Sequence, residues 1–262
     1  MFSKDIRVLS SYKILIAASI VDLLNLIIAG LFSGLFCLNG TLYCKYPTFI
    51  FWLGAISEGL WAATCTLVAL LAINRILEMI KPSYAALVFD GNRTYFLICI
   101  AMIWGSFLMF FTNPTLFSPS VKTWLLDPYF EFDITHKYEF FSLYNCINNY
   151  GTVFLQFILG ICFLAAYLSK ISIISNSSQL SGTTIRLYIQ TILICFITAT
   201  TSFTNTLMQF IAVPDWVLIA GNVGWIMVHG IPGLVFLLFN STLRQKILYA
   251  MGMRKFTVIS VQ

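Results

Sequence analysis

Three ionisable side chains, Asp22, Glu58 and His229, lie deep inside apolar runs, and a fourth, Arg75, stands at the rim of one. Inside a membrane helix such a group costs several kcal/mol unless it is paired or wetted, so each is a functional candidate by default. A helix rises about 1.5 Å per residue, which sets their depths. Asp22 lies roughly 12 Å past Ile14, Thr64 roughly 16 Å before Arg75, and His229 roughly 15 Å before Phe239. Three polar groups from three helices thus reach one level. A cluster of that kind can hold water or a small cation and rearrange as a bundle switches; a plain packing pair for Asp22 is the simpler reading, and both stay open. Glu58, roughly 16 Å below Pro47, falls at the floor of an outward-facing pocket, as a ligand contact or an interhelical hydrogen bond. Asn205 and Gln209, four apart, share a helix face, and Asn222 and Trp225 can face the same cavity, with polar glue between helices as the bland alternative.

These residues need helices that cross a membrane. The chain has 262 residues, of which 59% are hydrophobic and 10% charged, so one membrane domain over 1–262 suffices. Six apolar stretches, near 14–36, 49–73, 95–112, 147–169, 187–212 and 216–239, each fit about 20 residues per span. None shows the alternation of barrel strands, so the fold class is all-α, a polytopic helical bundle. Leu243, Ile247, Leu248 and Met251, interleaved with Arg244 and Lys246, predict a short amphipathic helix over 241–251 on the cytoplasmic surface.

Basic residues orient the bundle. One class of gaps holds Lys4, Arg7, Lys13, Arg75, Lys81, Arg93, Lys170, Arg186, Arg244, Lys246, Arg254 and Lys255; the other holds only Lys45, Lys122 and Lys137. That asymmetry places both termini in the cytoplasm. The net charge of +5 is therefore orientation plus contact with the lipid bilayer, not a nucleic-acid surface. Cys37, Cys44 and Cys146 fall outward, and the expected bridge joins Cys44 to Cys146. The loop 113–146, rich in proline and aromatics, is expected to be structured over the outer mouth. His136 and His229 have neither a metal spacing nor a nucleophile partner, so the reading is no enzyme, no metal and no cofactor.

Several segments together resemble the rhodopsin-like seven-helix receptors, and more closely the nematode chemosensory receptors of serpentine receptor class T. They are Tyr12-Lys13 leading to Asp22, Tyr43-Cys44-Lys45-Tyr46-Pro47 entering a long helix that contains Trp61, Leu71-Ala72-Ile73-Asn74-Arg75, Trp104, and His229-Gly230-Ile231-Pro232 running on to Asn240 and Arg244. The resemblance implies that Asp22 is the buried acid of the family's second helix, Asn74 and Arg75 the G-protein-coupling pair, Trp104 the fourth-helix tryptophan and Pro232 the last-helix proline. It adds Pro232 to the switch of Asp22, Thr64 and His229, and Trp61 to the pocket candidates. The six spans then match helices two to seven, and the family's first helix has no counterpart. Asn74 replaces the acid that usually precedes the arginine, so no ionic lock to that neighbour is expected. The function implied is a receptor in the plasma membrane of sensory cells, with a small-molecule ligand outside and a heterotrimeric G protein inside. A transporter or channel using Asp22, Glu58 and His229 as a relay, or a truncated, non-signalling variant, are the alternatives.

Overall fold

Pro47 and Pro82 each sit in the first turn of a helix, where the missing N–H would have no partner anyway. Between them α3 (Pro47–Ile80) runs for 34 residues, and the break at Lys81-Pro82 starts the short α4 (Pro82–Phe89). The computed structural model describes the backbone of residues 2–127, 141–174, 182–211, 213–239 and 252, and the side chains of 10–127, 141–169, 188–211, 213–235 and 252. Ahead of α3, α1 (Phe2–Leu26) passes through a π-turn at Ile27–Phe32 into α2 (Ser33–Asn39), and Gly40 ends it in the left-handed conformation at φ +54°. The remaining helices are α5 (Arg93–Phe111), α6 (Leu143–Ile174), α7 (Gly182–Phe210) and α8 (Asp215–Phe239).

Among the described residues six helical segments are long and apolar enough to cross a membrane, matching the six expected spans: Ser10–Asn39, Pro47–Ile80, Arg93–Phe111, Leu143–Ser169, Tyr188–Phe210 and Asp215–Val235. The second extends well beyond the expected 49–73 because its helix continues to Ile80. The amphipathic helix expected over 241–251 lies outside the described residues.

α3 is the central post. Its apolar window is 72% buried, against 22–39% for the other spans, because it packs on α1, α5, α6 and α7. The helices approach most closely where side chains vanish: a Cβ on Gly59 would lie 2.8 Å from the Gly105 carbonyl oxygen of α5. Small residues let membrane helices gain contact without a hydrophobic driving force. At the end of the bundle away from Arg75, β1 (Leu116–Ser118) pairs antiparallel with β2 (Thr123–Leu125), Phe117 opposite Trp124. This hairpin gives the first part of the loop expected over 113–146 an ordered structure; residues 128–140 of that loop lie outside the described residues. Phe36, Phe117 and Trp124 pack with ring centroids 5.4–6.3 Å apart, and the Trp124 indole donates to the Ser33 hydroxyl at 2.8 Å.

Candidate functional site

The shared level of Asp22, Thr64 and His229 is a contact. Thr64 donates its hydroxyl to the Asp22 carboxylate at 3.2 Å, and His229 Nδ1 lies 2.8 Å from the same oxygen. Asp22 is 6% exposed and His229 2%, so water does not compete for either. The far side of the imidazole meets Asn25, whose Nδ2 is 2.7 Å from His229 Nε2. Because the Asn25 carbonyl oxygen accepts from the Ser57 hydroxyl, its amide nitrogen must face the ring. Nε2 then accepts and Nδ1–H donates to the carboxylate. Asn25 and Ser57 were not among the sequence candidates. Asn25, three residues after Asp22 on one helix face, carried a usable signal.

A second network lies above it. Glu58, 4% exposed, accepts from Asn145 Nδ2 at 2.5 Å; Asn145 Oδ1 accepts from Asn149 at 2.8 Å and from Gln209 at 2.9 Å. Trp61 donates its indole N–H to Asn149 at 2.7 Å, and Trp104 donates to Asn148 at 2.9 Å. The asparagines at 145, 148 and 149 enter from α6, and sequence reasoning missed them. Trp61 joins the two networks: its ring meets the His229 imidazole edge-on, centroids 6.0 Å apart and planes at 82°. Polar groups in such a chain are satisfied by one another, which fixes their geometry in a low-dielectric interior.

Of the other pocket candidates, Trp225 packs in the same apolar cluster as Trp61, with its indole nitrogen buried and without a partner among the described residues. Asn222 sits nearer the hairpin, where its amide donates to the Lys122 carbonyl at 3.3 Å while its own oxygen is buried and unpartnered. Asn205 is half-buried on α7. Gln156 on α6, which was not anticipated, has both amide atoms buried without a partner among the described residues. Pro232 is buried inside α8, and three residues on the Val235 carbonyl accepts from Gln190 at 3.0 Å.

At the other end, Arg75 does have an acid partner: Glu78, one turn on, at 3.2 Å. The expectation that no lock forms to the preceding residue, Asn74, is untouched by this; the pair lies on the other side of Arg75, because positions three apart share a helix face. Asn74 is fully buried and accepts from Ser11 of α1 at 2.5 Å, and the same hydroxyl lies 3.2 Å from Glu78. The expected bridge between Cys44 and Cys146 is not formed. Cys44 is exposed in a short turn, whereas the Cys146 thiol is buried and directed to Gln209 Oε1 at 3.1 Å.

Residues 1–259 match the family model described as serpentine type 7TM GPCR chemoreceptor Srt. A relative from Caenorhabditis elegans, serpentine receptor class T-55, is 20% identical over 242 residues, which is 92% of this chain and 65% of that protein.

Proposed function

The chain belongs to the Srt family of serpentine chemoreceptors, a multi-pass membrane family of receptors and not of enzymes, and from that premise we propose that it binds a small molecule from the outer side and signals to a cytoplasmic heterotrimeric G protein. In this reading the Arg75 end faces the cytoplasm, as the basic residues indicate. The membrane is the plasma membrane of a sensory cell.

The observation that carries the reading is the pair of buried networks joined through Trp61. A ligand beneath the hairpin contacts the outer network of Glu58, Asn145, Asn149 and Gln209, with Asn205, Asn222 and Trp225 around it. The unpartnered polar atoms of Gln156, Asn222 and Trp225 are donors and acceptors that a polar ligand can satisfy. Displacing Trp61 moves the edge contact with His229, and with it the bond to Asp22 that ties α1 to α8. The ligand needs only a difference in affinity between two packings of the bundle; no bond is made or broken. Pro232, which lacks an N–H, gives α8 a place to bend below His229. Arg75 then supplies the surface for the G-protein α subunit, with the buried Asn74 beside it fixing α3 against α1.

Arg75→Ala tests the reading. Nucleotide exchange on a co-reconstituted G protein should fall to background while ligand binding stays within about twofold of wild type. Unchanged exchange would remove Arg75 from the coupling surface.

A further inference from the structure

Away from both networks, a cleft of about 830 Å³ opens beside the Arg75 end, between α1, α4 and the turn that leads into α5. Its polar lining comes from Ser10 and Lys13 of α1, Ser83 of α4, Asp90 and Asn92 of the turn, and Arg93 at the start of α5. Its apolar wall comes from α4 and includes Leu87, which is 64% exposed. Tyr84 and Tyr95 stand beside it, exposed at the level where amphipathic rings mark a membrane interface.

The two basic side chains are held in place rather than loose. Lys13 Nζ donates to the Gly91 carbonyl at 2.9 Å and sits 4.4 Å from the centre of the Tyr95 ring. Arg93 donates through one terminal nitrogen to the Leu87 carbonyl. Each hydrogen bond takes one donor of the ammonium's three and the guanidinium's five, so donors remain on both for an anion. The opposing charge is Asp90, whose Oδ1 already accepts the Gly91 N–H at 3.1 Å. Two cations against one occupied carboxylate leave the cleft positive.

We infer that this cleft seats the phosphorylated headgroup of an anionic lipid of the cytoplasmic leaflet. Lys13 and Arg93 neutralise the phosphate, the hydroxyl of Ser83 bonds one of its oxygens, and the acyl chains leave along the exposed apolar side of α4. The volume favours a headgroup over a lone phosphate, which would fill only a small part of it, and the apolar wall has no use for a soluble anion. Ser10, which lines the cleft, also accepts from Asn74 at 3.5 Å, so the cleft is one side chain away from the residue next to Arg75. The inference rests on the proposed orientation, which is read independently by labelling Cys44 from outside the cell.

The test uses the full chain in phosphatidylcholine nanodiscs with a fluorescent phosphatidylinositol monophosphate as probe. At the roughly fivefold that each basic residue contributes near an anionic surface, Lys13→Gln with Arg93→Gln should weaken binding about 25-fold. Lys13→Arg should stay within about twofold. Arg254→Gln with Lys255→Gln, which removes the same charge elsewhere, should change nothing. Should the cleft pair not fold, each single variant carries the test at about fivefold. Equal weakening by the two double variants reduces the effect to general surface charge and overturns the site. Phosphatidylserine at matched charge binding equally well overturns the phosphorylated headgroup. A soluble inositol phosphate that competes as strongly as the lipid overturns the lipid as its source.

Discussion

His229→Leu isolates the central pair. In the native bundle the Asp22 carboxylate has Thr64 at 3.2 Å and the His229 ring nitrogen at 2.8 Å, with both partners of the pair nearly inaccessible to solvent. Leucine removes the shorter bond and leaves the acid with one hydroxyl, and it strips Asn25 of the acceptor for its amide. Breaking a buried pair by removing one partner costs about 3–5 kcal/mol, because the remaining group is still desolvated. At about 2–4 °C per kcal/mol for a domain of this size, the unfolding midpoint should fall on the order of 10 °C. Asp22→Leu alone should cost a similar amount. The double variant, which places two apolar groups where two polar ones met, should recover most of the loss, since apolar replacement of a buried pair is often neutral or better. The assay is thermal unfolding in detergent or nanodiscs, followed by exposure of the buried thiol of Cys65 to a maleimide fluorophore. A double variant as destabilised as the sum of the two singles would show no coupling, and would refute the claim that the bond ties α1 to α8.

Glu78→Gln weakens the grip on Arg75; a partly buried pair of this kind is worth about 1 kcal/mol or less, so basal nucleotide exchange should rise about two- to fivefold, and unchanged exchange would make the pair a bystander. Cys44 should be labelled on intact cells by an impermeant maleimide without prior reduction, and Cys44→Ser should lose that label. A requirement for reductant would restore the disulfide, and absence of label on intact but not on opened cells would invert the orientation.

The spans were readable because about 20 consecutive apolar residues have few other uses. The shared depth of Asp22, Thr64 and His229 was readable because helical rise is fixed, so counting from a span's end gives height. Height is only one coordinate. Which faces meet depends on which helices are neighbours, and one sequence does not give that. This is why Asn205, which spacing placed on one face with Gln209, and Asn222 and Trp225, which could face the same cavity, do not enter the network of Glu58, while Gln209 does. Asn145, Asn148 and Asn149, at three- and four-residue spacing in an otherwise apolar run, carried a helical-face signal that pointed to the missing partners. Glu78 was hidden by attention to the residue before Arg75 instead of the turn after it.

Both members of the Arg75–Glu78 pair ride on α3, so the pair by itself cannot sense any movement between helices. Ser11 changes that. Its single hydroxyl proton is shared by two acceptors, Asn74 at 2.5 Å and Glu78 at 3.2 Å, so what one gains the other loses. When the proton goes to Glu78, that carboxylate has less to offer the guanidinium; when it returns to Asn74, the grip is restored. The shared hydroxyl thus makes the Arg75–Glu78 pair answerable to the position of α1, a helix that neither member belongs to.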